Sequence, residues 1–470
     1  MHRLIHAILF VAAGVVPAAA QSELVLPRTS PFAGGVPSGT ATPEPLQLTI
    51  VDAVSRALLH NLGVLLAEQQ TETATAQRWT ALSRLLPNAN ASITESRRKS
   101  NLEAFGFPRD ASPLGASFPK LVGPFNVFDA RVFVSQSVFD LDALNEASAA
   151  AHRVEASKQS YRGARSLVML ASANLYLQAL ASDARRAAAE AQLASSQAIH
   201  QQALDLRQGG IVAGLDVVRA EVRVSVDRQR ATAAANDAQK AKLQLARIIG
   251  LPIGQAFTLV NDIPQVPESG MTLEQALDVA YDKRSDYQAA VEQVKAAEAS
   301  RRAAIGDHLP SVRVTADYGA IGLTAGTALP TFNFTGAIDV PIFDGGRQRA
   351  RLAQANAELK RQTAQLEDLK ASVYYDVRSA FLDVEASRQQ REAASRGREL
   401  ATQQLQQSRD RFAAGVASNI EVIQAQEAVA LSTEQAISAD YGFAVAKTAL
   451  AAALGTAEET LTKAVQGSKQ

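Results

Sequence analysis

The feature that most constrains this chain is an internal repeat that covers nearly its whole length. The aligned stretches follow one order in both halves, and they are Thr49 with Thr272 (offset 223), Val138-Phe139-Asp140 with Ile342-Phe343-Asp344 (offset 204), and Gly210 with Gly415 (offset 205). Ordered matches at such steady offsets predict two copies of one unit, at residues 48–250 and 271–455, joined by a linker at 251–270. The fall in the offset indicates an insertion in the first copy, within residues 101–124.

Each copy contains one very long stretch of helix-forming composition. Residues 140–207 and 345–411 contain no proline and are dominated by Ala, Gln, Glu, Arg and Leu, which favour helices. A helix of this length extends roughly 100 Å at 1.5 Å per residue. Residues 216–249 and 421–454 are expected to return as helix, and a shorter helix over 50–85 leads into the first copy. The two shorter helices of a copy match the long one in length, so we expect them to stack end to end beside it as a coiled coil. By helix content alone, a fibrous rod fits equally well.

Four segments between these helices alternate apolar and polar side chains, and they lie at residues 91–94, 126–135, 312–318 and 332–340. Ten of the sixteen phenylalanines fall within residues 105–139 and 318–343. Alternating strands with aromatic residues near their ends are typical of the wall of an outer-membrane barrel, although an ordinary half-buried sheet has the same alternation. Four strands cannot close a barrel, because barrels begin at about eight strands and an open edge is not tolerated in lipid. Two, three or four chains would therefore have to combine their strands.

The two ends of the chain differ in composition from the repeat. Residues 1–20 have a basic start, an apolar run at 7–16 and a small-residue pattern before Gln21, which predicts a secretory signal peptide. The apolar run is too short for a spanning helix, which takes about 20 residues. Residues 21–47 contain five prolines, so we expect an extended or disordered segment. Residues 456–470 form a short polar tail.

The composition argues against several classes of protein. The 47 basic and 47 acidic residues leave no net charge, whereas a nucleic-acid-binding protein needs a basic surplus. With no cysteine, the chain has no disulfide, no cysteine-ligated metal and no lipid-modified N-terminal cysteine. The six histidines are scattered, and neither a nucleophile–base pair nor a phosphate loop emerges. We therefore expect no enzyme activity, no cofactor and no metal site.

Two motifs of the second copy resemble those of the TolC family of outer-membrane channels. In the first, a strand passes into a long helix through Pro341, Phe343, Asp344, Gly345, Gly346 and Arg347. The second is a helix-tip motif over residues 411–426, of the form Gly-x-x-Ser-x-x-Glu-Val followed by Ala-Gln. The resemblance covers about residues 48–455. A phosphate-binding loop is the rival interpretation of the Gly-Gly-Arg run, but the P-loop pattern is absent.

The resemblance implies a mainly α fold with β structure. Four strands from each chain of a homotrimer would form one twelve-strand barrel in the outer membrane, continued by a long periplasmic α-helical coiled-coil barrel. It also implies a passive conduit for efflux or type I secretion, with a periplasmic adaptor and an inner-membrane transporter as partners and outer-membrane lipid around the barrel. A periplasmic adaptor protein is the alternative, because it also has a long helical hairpin, but it normally has one where this chain has two.

The resemblance further implies a gate at the two helix tips, which turn at Gly210 and Gly415. In the family, closure of the tunnel is attributed to a tyrosine and an arginine of the second tip that bond to the first tip. Their positions are Phe412 and Ala417 here, while the aspartate of the first tip is Asp216. Phe412 cannot donate the hydrogen bond of a tyrosine, so we expect it to pack within the tip.

An acidic pair of the second tip rings the constriction in the family, and its positions here are Glu421 and Gln424. In a symmetric trimer, three Glu421 side chains would surround the narrowest point and give a cation-selective bias. An acidic residue is also stabilised near the start of a helix by the helix dipole. The helix-dipole role of Glu421 and Asp216 is therefore an equally good explanation, and both roles can hold together.

Overall fold

The computed structural model describes residues 30–105, 119–261, 270–414, 416 and 418–459. The expected signal peptide, residues 262–269 of the expected linker and residues 460–470 of the expected tail lie outside this part of the chain. The strands are β1 (Leu46–Leu48), β2 (Asn88–Asn101), β3 (Leu121–Phe139), β4 (Phe257–Leu259), β5 (Ser311–Gly322) and β6 (Leu329–Asp339). The helices are α1 (Ile50–His60), α2 (Leu62–Ser83), α3 (Leu141–Gln208), α4 (Gly214–Ile248), α5 (Leu273–Lys283), α6 (Ser285–Gly306), α7 (Arg347–Ala413) and α8 (Asn419–Ala453).

The chain divides into two compact units. The sheet unit comprises residues 66–164 and 277–375, and the tip unit comprises the residues up to 65, 165–276 and those from 376 onward. The long helices α3 and α7 each begin in the sheet unit and end in the tip unit. No helix in the described ranges is both long enough and apolar enough to cross a membrane.

The sheet unit contains one antiparallel sheet with the strand order β2-β3-β5-β6. Cross-strand pairing places Ala91, Val132, Tyr318 and Phe332 in one row, and Ser92, Arg131, Gly319 and Thr331 in the next. Directly paired residues point to the same face, so apolar and polar rows alternate between the two faces. The alternation that the sequence predicted is therefore a property of the whole sheet.

The apolar face of the sheet is exposed in the single chain. Its exposed side chains are Ile93, Val132, Val134, Tyr318, Phe332, Phe334 and Ile338. Within the described residues, β2 pairs only with β3 and β6 pairs only with β5, so the outer edges of β2 and β6 carry backbone groups without a strand partner. β3 is longer than the expected segment, because pairing with β2 continues as far as Leu121, beyond the region of clean alternation.

The expected leading helix over 50–85 is divided into α1 and α2 at Asn61. The side chain of Asn61 is fully buried, where its Nδ2 donates to the carbonyl oxygen of Phe32 at 3.0 Å and its Oδ1 accepts from the backbone nitrogen of Gly63 at 2.9 Å. The expectation of one unbroken helix was wrong, because a buried asparagine with two backbone partners favours a break in the helix. The second copy has a corresponding break at Arg284, between α5 and α6.

The N-terminal segment and the region that follows α4 come together in the tip unit. β1 pairs in parallel with β4, and the hydroxyl of Tyr176 on α3 lies 2.7 Å from the carbonyl oxygens of both Leu48 and Val260. The backbone nitrogen of Gly35 donates to the carbonyl oxygen of Arg247 at 2.8 Å. Over residues 30–47, the N-terminal segment has a short 3₁₀ turn at Pro31–Ala33 and otherwise mostly irregular structure up to β1, and it is hydrogen-bonded to its neighbours.

These elements confirm the mainly α fold with a smaller β part. The long helices begin and end within two residues of the predicted limits, because composition and the absence of proline decide them locally. Burial in them is dominated by alanine, and small side chains allow the helices to pack closely.

Candidate functional site

The strand-to-helix turn of the second copy lies in the sheet unit. Gly345 and Gly346 have φ angles of 70° and 91°, a conformation that favours glycine. The carboxylate of Asp344 accepts hydrogen bonds from the backbone nitrogens of Gly346 at 3.1 Å and Gln348 at 2.8 Å. Asp344 therefore caps α7, whose first residue is Arg347. Nε of Arg347 lies 3.7 Å from Oδ2 of Asp344. The motif is a structural turn that starts the long helix.

Pro341, Ile342 and Phe343 precede this turn without regular secondary structure. Ile342 and Phe343 are 94% and 90% exposed in the single chain. Two neighbouring apolar side chains this exposed indicate contact with lipid or with another chain.

An ion-pair network centred on the buried Asp142 lies beside this turn, and it was not predicted from the sequence. The carboxylate of Asp142, at the start of α3, accepts from Arg84 at 2.7 Å and from Arg351 at 2.6 Å. Arg351 on α7 also lies 3.2 Å from Asp307, which follows α6. The network joins the ends of α2 and α6 to the beginnings of α3 and α7, so it fixes the four helix ends next to the sheet.

The two helix tips lie in the tip unit and share one turn geometry. The backbone nitrogen of Ile211 donates to the carbonyl oxygen of Leu206 at 2.9 Å, and that of Val416 donates to the carbonyl oxygen of Arg411 at 3.0 Å. Gly210 has a φ of 72°, as expected for the glycine that ends a helix. Gly415 and Ala417, two of the expected tip residues, lie outside the described residues.

Phe412 is buried in the core of the tip. It is 5% exposed and packs with Ile199 of α3, Leu405 of α7, and Val422 and Ala425 of α8. A phenyl ring in this apolar cluster has no hydrogen-bonding group, so the aromatic residue at this position holds α7 and α8 against α3.

The acidic tip residues are each paired with an arginine. Asp216 lies 3.4 Å from Arg219 on the same helix, and Glu421 lies 3.6 Å from Arg411. Both acids are in the first turn of their helix, where the helix dipole stabilises negative charge. Gln424 is exposed, one turn further along α8.

An ionic cluster that the sequence analysis missed connects the two hairpins of the tip unit. Arg223 and Arg230 of α4 both donate to the carboxylate of Glu427 on α8, with Arg230 forming two bonds of 3.0 and 3.1 Å. Arg223 also donates to Asp227, which is fully buried, at 2.9 Å. We call these four residues the α4–α8 cluster.

The charge of Glu427 is strongly stabilised in this cluster. The hydrogen bonds from Arg230 outweigh the partial desolvation of the carboxyl, and together with Arg223 they lower the pKa of Glu427 from 4.5 to about 2. The link between α4 and α8 is therefore ionic throughout the neutral range. A signal existed in the sequence: residues 223, 227 and 230 have the spacing that places charges on one helix face, and Glu427 directly follows the Ala-Gln of the tip motif.

A second polar link joins the hairpins close by. Arg409 of α7 donates to the hydroxyl of Ser195 on α3, and Gln426 of α8 donates to the same hydroxyl at 3.2 Å. A cavity of about 690 Å³ lies between α3, α4 and α8 and is lined by Asp227, Glu427 and several alanines. In the described ranges, no group of three or more His, Asp or Glu side chains is arranged to hold a metal ion.

The chain is similar to known proteins both in sequence and in structure. The family model described as "Outer membrane efflux protein" matches residues 53–251 and 276–456. The pyoverdine export outer membrane protein OpmQ of Pseudomonas aeruginosa is 25% identical over 411 residues, which cover 86% of this chain and 84% of OpmQ.

A shorter match joins the chain to the probable outer membrane lipoprotein SilC of Salmonella typhimurium, with 26% identity over 37% of this chain and 38% of SilC. Among solved structures, the CmeC outer membrane channel of Campylobacter jejuni is similar with a TM-score of 0.74. The match covers 94% of this chain and 97% of CmeC at 17% identity. This structural likeness supports the fold.

Proposed function

Because this chain belongs to the outer membrane efflux protein family, we propose that it assembles as a homotrimer whose sheets close one barrel and whose helix tips carry the gate of the channel. Membership makes the chain an outer-membrane efflux channel and not a periplasmic adaptor. The family is one of transport channels rather than enzymes, and its members form trimeric channels that work with the components of efflux pumps.

The proposal of a trimer rests mainly on the sheet. Its apolar face is exposed in one chain and its two edge strands lack outer partners among the described residues. Lipid excludes unpaired strand edges, so β6 of one chain is expected to pair with β2 of the next. Three chains then supply twelve strands, with the apolar face toward lipid and the polar face toward the lumen.

The tip unit supports the same assembly. Leu215, Val218, Val222 and Val226 follow each other at three- and four-residue steps on α4, and all four are exposed in the single chain. An apolar stripe of this spacing is typical of a helix that packs against another helix. We assign this stripe to contact with a neighbouring copy, which would continue the helical wall around the channel.

The gate is proposed to lie where the two tips meet. Phe412 anchors the second tip through its apolar cluster, and the α4–α8 cluster links this hairpin to the first through Glu427. Glu421, in the first turn of α8, is the residue that would bring a ring of carboxylates to the constriction, while Asp216 lies in the first turn of α4 and Gln424 in the second turn of α8. The link at Glu427 serves here in place of the family's bond at the position of Phe412.

The turns of the two tips are the proposed docking surface for a periplasmic adaptor and, through it, an inner-membrane transporter. Ile211 and Val416 stand at equivalent positions of the two turns and are 67% and 69% exposed. Paired apolar side chains at the ends of two hairpins suit an end-on contact with the apolar tips of another helical protein. A photo-crosslinking residue at either position is expected to capture the adaptor in intact cells, and a residue at exposed Leu400 on the side of α7 is the control.

Single-channel recording with the purified full chain in planar bilayers tests the channel and its gate together. The wild type is expected to give cation-preferring channels, and Glu421→Gln is expected to reduce the preference with little change in the amount of trimer. Glu399→Gln, which removes an exposed carboxylate from the side of α7 before the tip, is the matched control. Absence of any channel current would overturn the proposal, and an unchanged preference in Glu421→Gln would remove that residue from the constriction.

A further inference from the structure

A compact group of three charges lies in the middle of the polar face of the sheet. Four rows of paired residues on the polar face run across all four strands, from the row that contains Thr94 and Asp129 to the row that contains Asn88 and Ser135. Most of their residues are Asn, Ser, Thr or Gly, with a few apolar residues. The only charged side chains in these four rows are Asp129, Arg131 and Asp317. We call these three residues the sheet triad. Other charged residues of this face, such as Arg313 and Asp339, lie near the strand ends.

Arg131 is held between the two carboxylates. Its Nε donates to Oδ1 of Asp129 at 2.7 Å, and its Nη1 donates to Oδ1 of Asp317, on the neighbouring strand β5, also at 2.7 Å. The side chains of the triad are 13–31% exposed. Two of the three guanidinium nitrogens thus donate to carboxylates, so the positive charge of the arginine is balanced within the triad.

The residue opposite Arg131 makes this arrangement possible. Gly319 is paired with Arg131, and a Cβ at Gly319 would come within 2.5 Å of Cγ of Arg131 and 2.2 Å of the carbonyl oxygen of Ala130. Only glycine leaves the space in which the arginine side chain lies close against β5. The triad therefore depends on the absence of a side chain at Gly319 as well as on its own three side chains.

One arginine between two aspartates leaves each triad with one negative charge. We propose that the sheet triad is a selectivity element of the channel, which gives the lumen of the barrel a preference for cationic solutes independent of the helix tips. This inference rests on the proposed trimer, in which three triads lie at one level of the lumen and form a ring with a net charge of −3. Rings of carboxylates favour cations, and the range of their field lengthens from about 10 Å at 0.1 M salt to about 30 Å at 0.01 M.

The test uses charge changes of opposite sign. Reversal potentials are measured in a KCl gradient on the full chain carrying Glu421→Gln, so that the tip contributes little to selectivity. In that background, Asp317→Asn makes each triad neutral, and the ratio of K⁺ to Cl⁻ permeability is expected to fall toward 1. Arg131→Gln makes each triad more negative, so the ratio is expected to rise. Both differences are expected to grow as the salt concentration is lowered.

Asp129→Asn is the second neutralising variant, for use if Asp317→Asn does not assemble, and Asp339→Asn is the matched control at the end of β6. Shifts of opposite sign in the acidic and the basic variants support the proposal, because a merely structural ion pair would weaken the sheet in both without a change of sign. Unchanged permeability ratios in conducting variants overturn this inference and leave the channel function intact. A parent protein that gives no current overturns the proposed function itself.

Discussion

At the scale of single residues, the tip is held by one apolar and one ionic anchor. Phe412 fills the apolar cluster between α3, α7 and α8, and Glu427 joins α8 to α4 through two arginines. The anchors differ in kind, because the first depends on buried area and the second on charge. They are therefore separable by mutation and by pH.

Truncation of the apolar anchor tests the first. Phe412→Ala removes a buried ring from the tip, and loss of a buried phenylalanine costs about 3–5 kcal/mol. We expect a lower free energy of unfolding of the tip unit and faster hydrogen exchange at the ends of α7 and α8. Leu400→Ala, at an exposed position of the same helix, is expected to have little effect. Equal exchange in the two variants would contradict a packing role for Phe412.

The pH dependence of stability tests the ionic anchor. Since the folded-state pKa of Glu427 is about 2 and its ordinary value is 4.5, its stabilising contribution is fully present above about pH 4.5 and is lost as the pH falls toward 2. Glu427→Gln is therefore expected to be less stable than the wild type by a constant amount from pH 8 to 5, and the difference is expected to shrink below pH 4.5. Denaturant unfolding at a series of pH values measures this, with Glu399→Gln as a surface ion-pair control. A difference that does not depend on pH would exclude an ionic role.

At the scale of elements, glycines determine where the helices turn and where the strands approach each other. Gly210 ends α3 with a positive φ and has free space around the position of a Cβ. Gly319 does not have a positive φ, but the neighbouring strand leaves no room for a side chain at this position. Substitution by alanine is thus expected to act through the backbone angle at the first position and through a steric clash at the second.

At the tip, Gly210→Ala forces a residue with a Cβ into the left-handed region, at a cost of about 1–2 kcal/mol. We expect faster hydrogen exchange in the last turn of α3 and the first turn of α4. Gly209→Ala is the matched control, since Gly209 has no positive φ and a Cβ there would lie 3.6 Å from its nearest neighbour, the carbonyl oxygen of Leu206. The prediction fails if the two variants exchange alike.

In the sheet, Gly319→Ala places a methyl group 2.2 Å from the carbonyl oxygen of Ala130. The strands β3 and β5 have to separate or shift, so we expect little heat-modifiable oligomer on semi-native gels. Gly326→Ala, in the turn between β5 and β6, meets no atom within 4 Å and is expected to assemble normally. Normal assembly of Gly319→Ala would show that the pairing of Arg131 with Gly319 is not tight.

At the scale of the whole molecule, assembly should pair β6 of one chain with β2 of another. Asn90 and Asn333 belong to one row of the sheet at opposite edges, three strand spacings of about 4.8 Å apart, which is too far for a disulfide within one chain. Because the chain has no cysteine, introduced cysteines report only on the intended contact. Asn333→Cys combined with single cysteines along β2 is expected to give a covalently closed trimer at one register.

The controls for this experiment lie in the middle strands. Cysteines at Ser135 and Asp317, on β3 and β5, are expected to give no bond between chains, because both strands already have two partners within the chain. If every combination of Asn333→Cys with β2 stays monomeric under oxidation, the edges do not meet and the proposed barrel is wrong.

Much of the fold was predictable from local sequence. Local sequence predicts the long helices, the turns at Gly210 and at Gly345-Gly346, and the alternating faces of the strands. These features depend on propensity and periodicity, which are set by residues close together in the chain. The break at Asn61 was not predictable, because the partner that favours it, Phe32, is 29 residues away in the chain. The insertion, the repeat limits and the gate residues stay predictions.

The sequence by itself determined the family, the two long helices and the four two-faced strands, since repeats, motifs and hydrophobic patterns depend only on the order of the residues. Only the tertiary structure decided which charges act together: Arg223 and Arg230 with Glu427, and Arg131 with Asp129 and Asp317. Most of these ion pairs depend on distances of a few ångströms between residues about 200 positions apart. Such distances are fixed by helix packing and strand register, and no local pattern contains them.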